Sequence, residues 1–348
     1  MRAIVWARAN LFNGIWNSIL TLVVVVLIAR GLWEVVQWGV IDAVWSAPDG
    51  RACRALSNDA GACWAFIGQW NRFILFGRYP YDAQWRPLLV VILFMVLVLA
   101  SCDRRMWRAG LLAGMWIFGL AACFILMGGG VFGLAKVPTD LWNGLPLTLF
   151  LAVIGLAGAF PLAILLALGR RSQLPTIRAL CVGYIELIRG VPLITVLFMA
   201  SVMLPLFLPA GVTINNLVRA QAGLILFYAA YLAEVVRGGL QAIPTGQYEA
   251  ADALGLGYWR KTSLIVLPQA LAISIPPLVN TFIAAFKDTT LVTIVGLFDL
   301  LATAGNAITD PEWRGFYVEA YVFVAAIYFV FCFFMSRYSR NLERRLAR

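Results

Sequence analysis

Eight apolar runs, each near the length at which a helix crosses a hydrocarbon layer, constrain this chain more than any other feature. They lie at 15–33, 88–100, 109–127, 144–168, 180–208, 219–240, 263–286 and 316–335. The second is short and spans only if residues 85–102 are counted. In lipid every backbone polar group needs an internal partner, so such runs become helices. The expected fold class is all-α integral membrane, with about eight transmembrane helices. A soluble domain is excluded, because 62% of the 348 residues are hydrophobic and only 13% are charged.

Charge orients the runs. Arg2 and Arg8 precede the first, and no small-x-small cleavage site follows it, so it reads as an uncleaved anchor. Residues 36–86, with Trp38, Trp45, Trp64, Trp70 and Trp85, read as a long polar connection lying at the outer interface. With both termini inside, 17 of the 27 Lys and Arg fall on the cytoplasmic side, but only 6 of the 17 acids. The reverse orientation would put the basic excess outside, against the positive-inside tendency. The loop 241–262 is thereby expected in the cytoplasm. The net charge of +10 reads as retained cytoplasmic charge, with no nucleic acid partner. The chain has no His and no Gly-Lys dipeptide. That removes His-based metal sites, His general bases and a phosphate loop, so any ATP must be bound by another chain. No metal or cofactor is expected here.

The polar island between the sixth and seventh runs has its own helix logic. Thr245 suits an N-cap, Glu249 suits the positive end of a helix dipole, and Gly255 suits a left-handed helix end. Small Ala250, Ala251 and Ala253 permit close approach to another surface. Taken alone, this is an ordinary amphipathic connecting helix.

Its spacing is not ordinary. Glu249-Ala250-Ala251, three residues, Gly255, nine residues, then Ile265-x-Leu267-Pro268 resembles the signature of membrane subunits of ATP-binding-cassette importers. IELIRGVPLITVLF (185–198), YLAEVVRGGLQAIPTGQYEAADALGLGYW (231–259) and AFKDTTLVTIVG (285–296) resemble the polar amino acid permease group of histidine, glutamine and arginine uptake. AVWSAPDGRACR and GACWAFIGQWNRFILFGRYPY resemble the M-type permease of the general L-amino acid uptake system. Val191 departs from the Thr usual before Pro192.

The resemblance implies a five-helix type I importer permease core at 136–348, behind an N-terminal extension at 1–135 with about three spans and a periplasmic loop at 36–86. It implies an inner-membrane permease that moves polar or broad-range L-amino acids by alternating access. It also implies an ATPase dimer that binds ATP and Mg, a second homologous permease and a periplasmic amino-acid-binding protein. The coupling surface falls on Gln247, Glu249, Ala250, Ala251, Gly255, Leu256, Gly257 and Arg260.

Other residues are candidates on chemistry alone. Pro276-Pro277 is expected to break the seventh run, and broken helices are where transporters place substrate groups. Asn280, Lys287, Asp288 and Thr289 follow on the outer side, and Lys287 with Asp288 suits an amino acid's two charges or a pairing with loops. Glu186/Arg189 and Glu234/Arg237 share i,i+3 spacing, which pairs them on one helix face or marks a functional charge at membrane depth. Glu234 is therefore also a pathway candidate. Cys53 and Cys63 lie in the outer connection, where a disulfide or two free thiols are both open. Two other classes remain to be weighed: a membrane-embedded enzyme, and a stand-alone channel or secondary carrier.

Overall fold

A computed structural model describes residues 2–57, 61–209 and 211–346. The helices are α1 (Arg2–Asn10), α2 (Ile15–Val36), α3 (Gly50–Ser57), α4 (Trp64–Phe76), α5 (Trp85–Ser101), α6 (Ala109–Gly128) and α7 (Gly144–Arg170). They continue as α8 (Pro175–Gly190), α9 (Leu193–Phe198), α10 (Asn216–Gln241), α11 (Thr245–Ala253), α12 (Tyr258–Lys261), α13 (Leu267–Asp288), α14 (Leu300–Ala307) and α15 (Tyr317–Leu346). Among the described residues seven helices are long and apolar enough to cross a membrane. The count is eight if one bent pair is a single span. That pair is Pro175–Gly190 with Leu193–Phe207, bent by 105°. Pro192 removes a backbone donor and pushes Val191 into extended geometry, which is where the bend falls.

The chain divides into two compact units, 1–71 with 307–323, and 72–306 with 324–348. This division does not follow the 135/136 boundary expected from the resemblance. In the first unit α2 buries none of its residues. Residues 36–86 are not an open connection, because α3 and α4 order them. Cys53 and Cys63 are joined across a Cα–Cα distance of 6.2 Å. Trp64 donates to Gly39 O at 2.7 Å, Trp38 packs edge-on against it, and Phe66 sits between Trp313 and Phe316. Glu319 Oε1 accepts from the Cys63 N–H at 2.9 Å.

The second unit is built on α10. Its buried residues include Ala220, Gly223, Ala229, Ala230, Ala233 and Gly239, so neighbouring backbones come close. A Cβ on Gly239 would collide with Ser274 Oγ and Ala270 O of α13. Gly155 and Gly158 of α7 face Gln221 and Ile225 in the same manner. On the other flank, Arg86 at the start of α5 is 2% exposed. It donates to Leu126 O at 2.6 Å and Ala135 O at 2.9 Å, while the Tyr79 hydroxyl donates to Met127 O at 2.9 Å. The bonds to Leu126 O and Met127 O satisfy carbonyls that the end of α6 leaves open.

One expectation needs correction. Pro276 and Pro277 lie inside a continuous α13, and the irregularity falls earlier, in a π-turn at Thr262–Val266. α10 packs on the helix before its prolines, at Ala270 and Ser274, and bonds it after them, at Asp288; Ser and Thr hydroxyls supplement its bonding, Ser274 to Ala270 O at 2.8 Å and Thr281 to Pro277 O at 3.0 Å. The stretch after α13 is also ordered, as a 3₁₀ segment over Thr289–Val295 followed by α14.

Candidate functional site

α11 begins after Pro244, so Thr245 is its first residue and makes no capping bond. The helix therefore starts one position earlier than the Thr245 cap implied. Its end matches the expectation for Gly255, which adopts φ +70°. The Gly255 N–H bonds Asp252 O at 2.9 Å and the Leu256 N–H bonds Ala251 O at 3.1 Å. Together these are the two bonds of a Schellman motif, in which glycine takes the left-handed position at no steric cost.

The short helix has two faces. Ala251 is fully buried and Tyr248 and Leu256 are partly buried, as spacing along a helix requires. Gln247, Glu249, Ala250, Ala253, Leu254, Gly255, Gly257 and Arg260 are exposed. Three side chains fasten the short helix to the helices around it. Arg171, at the end of α7, donates to Leu240 O at 3.0 Å and the Tyr248 hydroxyl at 3.1 Å. Lys261 of α12 meets Asp252 at 2.5 Å, and Gln269 of α13 donates to Gln247 Oε1 at 3.1 Å.

A charge cluster lies on the helices just before this loop. Glu234 of α10 pairs with Arg237 at 2.6 Å, Arg170 of α7 at 3.3 Å and Arg189 of α8 at 3.7 Å. The expected Glu234/Arg237 pair forms. The Glu186/Arg189 pair does not: Glu186 binds Arg170 at 2.9 Å while Arg189 turns to Glu234. Sequence spacing favoured a partner on the same helix, but a carboxylate set among three arginines attracts Arg189 across helices. Glu234 carries little exposure, so its charge is held largely by these neighbours.

The pathway candidates do not form a single cluster. Asn280 and Lys287 are exposed. Asp288 Oδ2 accepts from the Tyr228 hydroxyl at 2.8 Å. Thr289 is buried and donates to Phe286 O at 2.9 Å. Glu234 lies farther along α10, in the arginine cluster. Tyr228, Arg170, Arg171 and Tyr248 were not singled out from the sequence: an isolated Tyr in an apolar run and Arg at a membrane edge carry no partner information. Asp299 was also missed, although its place three residues before Ala302 is a legible N-cap signal. It bonds the Ala302 N–H and the Tyr328 hydroxyl, both at 3.0 Å. Among the described residues no group of three or more His, Cys, Asp or Glu is arranged to hold a metal ion.

Residues 159–348 match the family described as binding-protein-dependent transport system inner membrane component. Over 346 residues the chain is 50% identical to the inner membrane amino-acid ABC transporter permease protein YhdY of Escherichia coli K12, covering 99% of this chain and 93% of that one. It is 40% identical over 411 residues to the glutamate/glutamine/aspartate/asparagine transport system permease protein BztC of Rhodobacter capsulatus, covering 99% and 94%. A crystal structure of an amino acid ABC transporter with histidines superposes with a TM-score of 0.52 at 33% identity, covering 58% of this chain and 92% of that one.

Proposed function

The chain belongs to the binding-protein-dependent transport system inner membrane components, and from that premise we propose that α11 is the surface through which a separate ATPase drives it. The protein is the permease subunit of an amino-acid ABC importer, a multi-pass inner-membrane protein without an ATPase site of its own. The observation that carries the coupling assignment is the two-faced α11. Glu249, Ala250 and Ala253 stand exposed, while Tyr248, Asp252 and Gln247 tie the helix to α7, α12 and α13.

In this reading an ATPase dimer holding ATP and Mg grips Gln247, Glu249, Ala250 and Arg260, with Gly255, Leu256 and Gly257 fixing the loop's shape. Displacement of α11 passes through Arg171, Lys261 and Gln269 into the spanning helices, and Glu234 ties α7, α8 and α10 so that they respond together. A partner can bias the permease only through a surface whose contacts differ between its states. Both termini and loop 241–262 face the cytoplasm. A second, homologous permease completes the pathway, and a periplasmic binding protein delivers the amino acid. Asp288 with Tyr228, and Asn280, Lys287 and Thr289 near them, are the substrate-pathway candidates. The amino acids in the Rhodobacter relative's name are the first cargo to assay, within a broad L-amino acid range.

The test reconstitutes the permease with its ATPase and binding protein in proteoliposomes. Glu249→Lys and Gly255→Asp should each lower uptake at least about tenfold and abolish substrate stimulation of ATP hydrolysis. Ordinary stimulation in both variants would sink the coupling assignment.

A further inference from the structure

We propose that α5, α7, α13 and α15 hold one anionic glycerophospholipid, its acyl chain in an apolar crevice and its phosphate on Arg337, Arg340 and Arg344. The crevice has a volume of about 190 Å³ and is walled by side chains such as Met95, Val98, Val153, Phe282, Phe331 and Phe334, with no polar side chain in its lining. A zwitterionic amino acid finds no partner in such a space, so the crevice is unsuited to the cargo.

The second observation comes from the same helix. Phe334 also borders an open hollow along α15 between Arg337, Tyr338, Arg340, Asn341 and Arg344. Phe334, Arg337, Asn341 and Arg344 recur at steps of three and four, which sets them in one stripe along α15. Within one turn this stripe changes from aromatic to cationic. Phe334 and Arg337 are about 4.5 Å apart along the axis. The three guanidiniums are exposed, and among the described residues none is ion-paired. Glu343 is the only acid from Ser336 to the end of the chain. The Cys102 side chain at the end of α5 bonds Tyr338, so α5 and α15 are joined beside the cationic hollow.

An acyl tail alone would explain the crevice. The aligned guanidiniums require a headgroup bearing negative charge, and basic clusters beside membrane helices attract anionic lipid. A helix from another protein would satisfy the apolar wall while leaving three cations without a counter-charge. The occupant is therefore a lipid with a phosphate and a net negative charge, such as phosphatidylglycerol.

Native mass spectrometry of the full chain tests the site, with phosphatidylglycerol, phosphatidylcholine of the same acyl chains, and inorganic phosphate as probes. Phosphatidylglycerol should be retained about tenfold more strongly than phosphatidylcholine. Substituting R337Q, R340Q and R344Q together should erase that preference. Val98→Trp should weaken retention of phosphatidylglycerol with the cationic cluster intact, and an unchanged thermal midpoint in both variants serves as the folding control. Equal retention of the two lipids by the wild-type chain would overturn the proposal, as would a preference that survives the triple substitution. So would binding of inorganic phosphate as strong as that of the lipid, no effect of Val98→Trp, or crosslinking of the Arg337→Cys variant to a second permease in the assembled importer.

Discussion

Asp299 is buried and held by hydrogen bonds, from the Ala302 N–H that it caps and from the Tyr328 hydroxyl. Burial pushes its carboxyl above the ordinary value, and these bonds oppose that push without cancelling it. In the unfolded chain the group releases its proton near pH 4. The folded protein keeps that proton to a higher pH, so between the two values the unfolded state binds fewer protons and stability falls as pH rises. The carboxyl's contribution is thus complete below about pH 4 and is lost through the window above it. Asp299→Asn preserves an acceptor for Ala302 and cannot ionise. Its thermal midpoint, followed from about pH 4 to about pH 8, should lack the decline that the wild-type protein shows over the first part of that range. Parallel curves would mean that Asp299 titrates as it does in the unfolded chain. The same residue shows the limit of reading by sequence: the Asp-x-x-Ala capping pattern was visible, but the Tyr328 hydroxyl that bonds it comes from a helix distant in the chain.

The α10–α13 pair makes the equivalent point for elements. Gly239 admits the α13 backbone at Ala270 and the Ser274 hydroxyl, a contact that leaves no room for a side chain. Gly239→Val should destabilise the protein by about 1–3 kcal/mol through overpacking, read as a lower thermal midpoint, whereas Gly238→Ala, where an added Cβ meets nothing, should leave it nearly unchanged. Equal effects of both substitutions would argue against the close approach. The existence of the spans was legible in the sequence because lipid forces apolar runs into helices, and the left-handed Gly255 followed from local chemistry. What failed was proline read without context. Pro276-Pro277 breaks an isolated helix, but α10 holds α13 before and after them. The partner of Glu186 was misjudged for the same reason, since i,i+3 spacing says nothing about the arginine that α7 brings to it.

At the scale of the whole molecule, family membership explains why a protein that moves cargo has no phosphate loop. Work must enter from outside the chain. The permease reconstituted alone should therefore give no ATP-driven uptake of amino acids. Adding the ATPase, the second permease and the binding protein should restore it, measured as radiolabelled amino acid retained in proteoliposomes. Uptake by the chain alone would favour a secondary carrier. The N-terminal region was less legible than the core. Its Trp-rich stretch looked like an interfacial connection, yet Cys53–Cys63 and the Phe66–Trp313–Phe316 packing give it a folded centre of its own.

The fastening of α11 has one more consequence. Arg171, Lys261 and Gln269 hold it through Tyr248, Asp252 and Gln247. In the coupling proposed above, Gln247 both meets the ATPase and carries a tether, whereas Glu249 and Ala250 serve recognition without one. On that proposal, Glu249 and Ala250 can change to suit a different motor protein while the linkage behind them stays as it is. One permease body can in this way acquire a different engine without redesigning the drive shaft.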